Sequence, residues 1–468
     1  MEKLMVPSRR SNRLARASVP QILFRRAAAK PPPRSRRPCS STQIQSRGAK
    51  RKYLKPCASW GARRARSVLG GGGDGNKQAL SGRSLPPPPH TNNSACTDWA
   101  NLGDGPAGLI AEFALASDVA DYVRFRAACR SWRRCSPDPR ASGLDGRFLP
   151  RQWLMLDKAH AASSRCRRFL NVSTGECIRT DLPELAEHTL LWLTPEGLLL
   201  LLHEPTLIVR LLNPLTRQLT DLPAVTDLLT PEQHRARLRG IELGDEILVN
   251  GIGLVGDGST VAVSFCSPRV VAIAKPGDKS WTVVDTQRMS SALPFAGRFY
   301  CATYSGVMVL DFSSDQQPPR LLMVAERCNK SFYFDVMSDS LHLVDNGGEL
   351  MLVQRMLCPE DEDDDGGKYT RKYVVFRVDL DAGKLIPVKG LNGRAVFMGN
   401  SRSICVSAET FPSIIPNTIY IGFDCDGEKS GYNVSDGSIE PLQYGPLCPP
   451  SVVVCLCYCI QEVLSILV

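Results

Sequence analysis

One glycine pattern in the sequence has the spacing of a nucleotide-binding motif. Residues 251–256 read Gly-Ile-Gly-Leu-Val-Gly, the order that brings a backbone close to a pyrophosphate at the N-terminus of a helix. A strand is predicted just before it, over 246–250, but residues 257–263 predict a turn and a second strand where the motif needs a helix. We therefore interpret these glycines as part of a β-hairpin.

Other residues capable of catalysis or metal binding form no recognisable cluster. The six histidines lack H-x-x-x-H spacing, G-x-S-x-G is absent, and no two cysteines have the C-x-x-C spacing of a zinc site. The acidic run 360–365 lacks the spaced ligands and central glycine of a calcium loop, so a solvated loop between strands is predicted. We expect no catalytic residue, metal or cofactor, which favours a binding protein over an enzyme.

The net charge of +10 is distributed unevenly. Residues 1–97 contain 21 Lys and Arg against two acids, whereas the rest of the chain contains 36 basic and 45 acidic residues. An acidic body argues against nucleic-acid binding by the folded part. The Arg-, Ser-, Pro- and Gly-rich composition of 1–97 predicts a disordered basic leader. It is interpreted as an organelle transit peptide, a nuclear signal at Lys50-Arg51-Lys52 with Lys55, an extension without an address, or a mispredicted start.

A short segment, residues 98–140, has helical periodicity. Leu109, Ile110 and Phe113 share one face of a predicted helix. Ser117-Asp118 predicts the N-cap of a second helix, whose apolar positions again recur at spacings of three and four. The segment is therefore predicted to be a small helical module.

From about residue 150 to 445 the apolar period changes to two, or to short runs bounded by turn residues, which predicts strands. Four segments share the order strand, tight polar turn, second strand, proline: 170–183, 212–223, 379–387 and 432–441. The first two copies lie 40 residues apart, the period of a propeller blade. We predict a mainly β fold, a kelch-like β-propeller, with a non-repeating β-sandwich as the alternative.

The C-terminal tail, residues 446–468, is apolar. Its run from 451 is interrupted by Gln461 and Glu462 and barely reaches the ~20 residues that a membrane span needs. Cys455, Cys457 and Cys459 alternate, as on one face of a strand. We expect a closing strand, or an artefact of gene prediction, in preference to a membrane anchor.

The helical module resembles a plant-type F-box, on the evidence of 98–102, 109–113 and the run DYVRFRAACRSWRR at 121–134. An F-box inserts apolar side chains into the adaptor Skp1, which links it to a cullin ubiquitin ligase. The adjacent Leu-Pro of that family is replaced here by 102–106, Leu-Gly-Asp-Gly-Pro. The resemblance implies nine docking residues: Leu102, Pro106, Leu109, Ile110, Phe113, Val119, Phe125, Cys129 and Trp132.

The strand-rich region resembles the KIB-type β-propeller domain of plant F-box proteins, a domain of unknown function. The resemblance is carried by the runs 167–185, 211–225, 293–301, 339–353 and 417–424. It implies a plant protein from a large grass family expansion.

Together the two resemblances imply a substrate-recognition subunit of an SCF-type (Skp1-cullin-F-box) E3 ubiquitin ligase in the nucleus or cytoplasm. Its partners would be a Skp1-like adaptor with its cullin scaffold and an unknown target protein on the propeller, with no membrane. One alternative is a non-ligase binding protein of a plastid, mitochondrion or nucleus that kept a degenerate F-box. Two others are a helical hairpin that only packs on the propeller, and an enzyme with a metal or radical site in the propeller funnel.

Overall fold

The computed structural model describes residues 102–141, 143–156, 165–312, 317–327, 338–359, 369–399, 402–421, 430–441 and 451–460. The predicted leader, 1–97, and the acidic run, 360–365, lie outside these residues. All described residues belong to one compact unit, Asn92–Val468.

The predicted helical module contains three helices, α1 (Asp104–Ser117), α2 (Val119–Ala128) and α3 (Arg130–Arg134). Asp118 separates α1 from α2 in an extended conformation, and its Oδ1 accepts a 2.7 Å hydrogen bond from the Ala120 amide. This bond satisfies one of the amides left unpaired at a helix start. The N-cap predicted at Ser117-Asp118 is therefore confirmed.

The region after residue 150 forms a β-propeller. Four of its blades are antiparallel meanders of four strands that neighbour one another in chain order. The first blade contains β4 (Thr189–Leu193), β5 (Leu199–His203), β6 (Ile208–Leu212) and β7 (Leu219–Ala224), and the second contains β8 (Leu248–Val255), β9 (Thr260–Ser267), β10 (Val270–Ala274) and β11 (Thr282–Asp285). The third contains β12 (Ser291–Phe295), β13 (Arg298–Thr303), β14 (Gly306–Asp311) and β15 (Arg320–Glu326). The fourth contains β16 (Ser338–Asp345), β17 (Leu350–Pro359), β18 (Tyr369–Asp379) and β19 (Lys384–Val388). The last two share one parallel pairing, Glu326 with Lys384.

Two further sheets come before and after these blades. The first has three strands: β1 (Trp153–Met155), β2 (Cys166–Asn171) and β3 (Cys177–Asp181). The last has five: β20 (Arg394–Met398), β21 (Ser403–Ser407), β22 (Thr418–Ile421), β23 (Ser430–Asn433) and β24 (Ile439–Pro441). One edge strand of each meander or sheet, β1, β4, β8, β12, β16 and β21, contributes to the lining of a central cavity. The propeller prediction is confirmed, and the β-sandwich alternative is wrong.

The recurring hairpins are the outer strand pairs of their sheets, β2–β3, β6–β7, β18–β19 and β23–β24. Three of them turn at an asparagine, Asn171, Asn213 or Asn433, whose Oδ1 accepts the amide two residues on at 2.9, 3.1 and 2.8 Å. The residue four positions after each asparagine has a positive φ of 74°, 65° or 75°. Side-chain capping followed by a left-handed residue closes the turn. This local chemistry explains why the repeat is visible in the sequence.

The nucleotide-type glycines lie in a hairpin, as predicted, because β8 and β9 pair in antiparallel fashion across the turn at 256–259. Gly251 and Gly253 are inside β8, where it approaches β12 of the next blade. A Cβ on Gly251 would lie 2.1 Å from the Ala292 carbonyl oxygen, and one on Gly253 would lie 2.1 Å from Pro294 Cγ. Glycine is needed there for close packing between blades.

The predicted closing strand in the tail is wrong, because residues Val452–Ile460 form a helix. This helix is α5, and α4 (Pro231–Leu238) lies between β7 and β8. Three short 3-10 helices complete the described elements: Gly146–Phe148, Pro183–Ala186 and Val225–Leu228. Val453, Leu456, Cys457 and Ile460 are buried, and their spacing of three and four is that of a helical stripe. They pack against residues of the first and last sheets, including Leu154 and Phe397. Cys459 is buried as well, whereas Cys455 is half-buried, so the three alternating cysteines, on which the strand prediction rested, do not share the equal burial of one strand face.

Candidate functional site

The helical module has an apolar core of its own. Tyr122 is fully buried, and its hydroxyl donates a 2.7 Å hydrogen bond to the Pro137 carbonyl. Burial raises the pKa of this phenol above its usual value. Phe125 and Trp132 stack at 4.7 Å between ring centroids, which joins α2 to α3. Side chains of α2 and α3 therefore hold the module together.

A separate apolar stripe on α1 faces away from this core. Pro106, Leu109, Ile110 and Phe113 have the spacing of one helix face, and the last three are 75%, 40% and 76% exposed. The opposite face, which includes Ala107, Ala111 and Leu115, is buried in the module. Contiguous exposed apolar side chains of this size indicate an interaction surface. We call Pro106, Leu109, Ile110 and Phe113 the α1 stripe.

The nine residues implied to dock Skp1 thus fall into two groups. The four of the α1 stripe are accessible to a partner. Val119 and Phe125 are buried in the module core, whereas three others are half-buried: Leu102, Cys129 and Trp132. Sequence spacing places all nine on amphipathic helices, but it does not distinguish the face that builds the module from the face that remains exposed.

Asp118 joins the module to the first propeller sheet. Its carboxylate, which caps α2, also accepts hydrogen bonds from Trp153 Nε1 at 2.9 Å and from Asn171 Nδ2 at 2.7 Å. Trp153 and Asn171 are 3% and 1% exposed, so the two residues that donate these hydrogen bonds are almost fully shielded from water. Beside this junction, Arg124 of α2 forms an ion pair with Glu176 in the β2–β3 turn. Sequence reasoning identified Asp118 as a cap and missed this second role.

A second junction uses the equivalent turn of the next sheet. Asn213 Nδ2 donates a 2.8 Å hydrogen bond to the Phe148 carbonyl, and Arg140 Nε donates a 2.7 Å hydrogen bond to the Thr216 carbonyl. Phe148 itself packs in the module core. The module is therefore fixed to the outer turns of two successive sheets, which sets the direction of the α1 stripe relative to the propeller.

The propeller encloses a cavity of about 550 Å³ on its axis. Its lining combines apolar residues with Arg151, Arg394, Arg402 and Asp345. Two buried polar residues, Asn250 and Ser291, also line it, and Ser291 Oγ accepts a 3.2 Å hydrogen bond from the Leu343 amide. The sequence gives no contiguous signal for this cavity because its residues come from seven separate strands and from loops between strands.

Within the described ranges, no group of three or more His, Cys, Asp and Glu side chains is arranged to hold a metal ion. Over the same residues, no helix has both the length and the apolar character to cross a membrane.

Comparison with known proteins identifies a family for the propeller. The model of the KIB1-4 β-propeller family matches residues 169–439, whereas no curated protein gives a significant match. Solved structures with similarity include a Saccharomyces cerevisiae complex of Dbp5, Nup159 and Gle1, at 11% identity and a TM-score of 0.28, covering 51% of this chain and 58% of that one. The Swd1 propeller domain of Myceliophthora thermophila has 9% identity and a TM-score of 0.28, with 59% and 76% covered.

A periplasmic gluconolactonase of Pseudomonas aeruginosa has 15% identity and a TM-score of 0.29, with 59% of this chain and 76% of that chain covered. Identities and scores this low support no functional comparison. The family match runs from β2 to β24 and spans more than half of the sequence. The chain therefore belongs to the KIB1-4 β-propeller family.

Proposed function

We propose that this chain is a non-catalytic adaptor, the substrate-recognition subunit of an SCF-type E3 ubiquitin ligase. The α1 stripe would insert into a Skp1-like adaptor, and the propeller would bind the target protein. The observation that carries the proposal is the exposure of Leu109 and Phe113, 75% and 76%, on a helix whose other face is buried. Specific protein interfaces use such anchors at their centre.

The fixed junction between module and propeller supports an adaptor role. A ligase must hold its target at a defined distance from the transferring enzyme, so the receptor has to keep its two binding surfaces in one orientation. Asp118 and Asn213 each connect the module to a propeller turn through hydrogen bonds of 2.7 to 2.9 Å. Under this proposal the α1 stripe and the propeller move as one body.

Co-purification of Skp1 with the full chain tests the docking part of this proposal. Leu109→Ala and Phe113→Ala each remove an exposed anchor without disturbing the Phe125–Trp132 stack. Each should lower the recovered Skp1 about tenfold, because truncating a central anchor costs roughly 1–2 kcal/mol or more of binding free energy. Leu238→Ala is the matched control, since Leu238 is 88% exposed at the end of α4 and outside the module. Equal recovery from all four proteins would contradict the proposal.

The proposed partners place the chain in the nucleus or cytoplasm. A fluorescent fusion of residues 1–97 tests this location directly, because the basic, acid-poor segment also fits an organelle transit peptide. Diffuse or nuclear fluorescence is the expected result. Import into plastids or mitochondria would contradict the ligase role and favour the non-ligase alternative.

A further inference from the structure

The charge of the central cavity is unbalanced. Arg151, Arg394 and Arg402 line it, and no carboxylate among the described residues lies within ion-pair distance of any of the three. The nearby carboxyl of Glu196 is buried, which raises its pKa, and Arg151 offsets only part of this shift. Asp345 is the sole acidic residue in the described lining, and its Oδ1 already accepts a 2.7 Å hydrogen bond from the Gly348 amide. Guanidinium groups recognise carboxylates, sulfonates and phosphates through paired N–H donors. The cavity therefore favours an anion.

A buried acceptor beside the same cavity lacks a partner among the described residues. Asn250 is 3% exposed, and its Nδ2 donates a 2.7 Å hydrogen bond to the Met289 carbonyl. Its Oδ1 is buried and has no hydrogen-bond partner among the described residues. Leaving a buried polar atom unpaired is costly, and most such atoms in folded proteins are satisfied. With less than 1 Å² of accessible surface, this oxygen does not open onto the cavity, so it assigns no donor to a ligand.

The remaining lining is apolar and includes Leu154, Ile252, Leu293 and Leu343. Cavities of about 300–1,000 Å³ with apolar walls and a few polar groups are typical small-molecule sites, and this one has about 550 Å³. We propose that the central cavity binds a small organic anion that has an apolar body. This site is separate from the α1 stripe, so the proposal stands whether or not the chain docks Skp1.

The test uses the purified full chain and two matched fluorescent probes. The first, 8-anilinonaphthalene-1-sulfonate, has an anionic group, an N–H donor and an apolar ring system. The second, N-phenyl-1-naphthylamine, is the same molecule without the sulfonate. We expect the sulfonate to bind at one saturable site. Arg151→Gln and Arg402→Gln should each weaken it about tenfold and change binding of the neutral amine by less than about twofold, because each removes a charge-assisted contact.

Arg298→Gln is the control, because Arg298 is exposed on β13 and does not line the cavity. Thermal unfolding of each variant shows whether it is folded. Arg402→Gln also removes the contact between Arg402 and Cys459, which could affect folding. Arg151 is exposed, so Arg151→Gln still tests the proposal if the Arg402 variant is unstable. Equal loss of both probes, or loss of sulfonate binding in Phe113→Ala instead, would overturn the proposal. Weak, unsaturable binding would also overturn it and leave the cavity to an acidic side chain of a target protein.

Discussion

Replacing Asp118 by alanine should weaken the attachment of the helical module to the propeller. The change removes the N-cap of α2, worth about 1 kcal/mol. It also leaves Trp153 Nε1 and Asn171 Nδ2, in nearly buried residues, without the carboxylate that accepts their hydrogen bonds. Each donor left unpaired costs about 1–3 kcal/mol. The combined loss is roughly 3–7 kcal/mol, which is a large part of the stability of a typical domain.

Hydrogen exchange of the α2 amides is the assay, because it reports opening of the module even when the propeller stays folded. Asp121→Ala is the matched control: Asp121 lies three residues further along the same helix and makes only an exposed ion pair with Arg124, worth about 0–1 kcal/mol. Asp118→Asn keeps one acceptor oxygen and should lie between the two. If Asp118→Ala exchanges no faster than Asp121→Ala, the junction does not hold the module.

Three further predictions concern the propeller and the module. In chemical denaturation, Gly251→Ala should lower the free energy of unfolding by several kcal/mol, because its Cβ would overlap the next blade. Gly105→Ala is the control: Gly105 lies in open space on α1, so alanine there should raise the free energy of unfolding by about 0.5–1 kcal/mol. Burial lowers the pKa of His342 to about 3, so between about pH 6.5 and 3 only the unfolded chain binds a proton at this imidazole. The free energy of unfolding therefore falls as the pH drops through that range. His342→Gln should remove about 2 kcal/mol of the fall in unfolding free energy between pH 6.5 and 5. In chemical denaturation, Asn213→Ala should lower the free energy of unfolding by about 2–4 kcal/mol, because it also removes the hydrogen bond to Phe148. Asn433→Ala should lower it by about 1 kcal/mol, since the Asn433 side chain has no described contact with the module. Equal losses would show that the module contact contributes nothing.

Local interactions explain which parts of the fold the sequence predicts. The helices of the module and the asparagine turns follow from spacing and from hydrogen bonds between residues two to four positions apart, so they are visible in a single sequence. The C-terminal tail shows where prediction from the local pattern fails. Because the run is apolar at almost every position, it fits a strand and a helix equally well, and the alternating cysteines favoured the strand. Packing against the first and last sheets determines which side of the helix is buried, and this contact is not visible in the local sequence.

The candidate sites depend on contacts between distant residues. Asp118 meets Trp153 and Asn171 across 35 and 53 positions, and nothing in the local pattern identifies those partners. Val119 and Phe125 match the docking motif as well as Leu109 does, yet only packing shows that they are buried. Arg151 and Arg402 come together because the first and last sheets of the propeller lie at the same cavity. A single sequence carries no record of these contacts.

Site-specific crosslinking tests the central claim most directly. A benzophenone amino acid placed at Phe113 would lie on the α1 stripe, and the same group at Leu238 would lie on an equally exposed part of α4. With purified Skp1, the docking proposal predicts a crosslinked product from position 113 and none above background from position 238. Crosslinks of equal yield from both positions, or none from position 113 at concentrations that saturate specific interfaces, would contradict the proposed adaptor role.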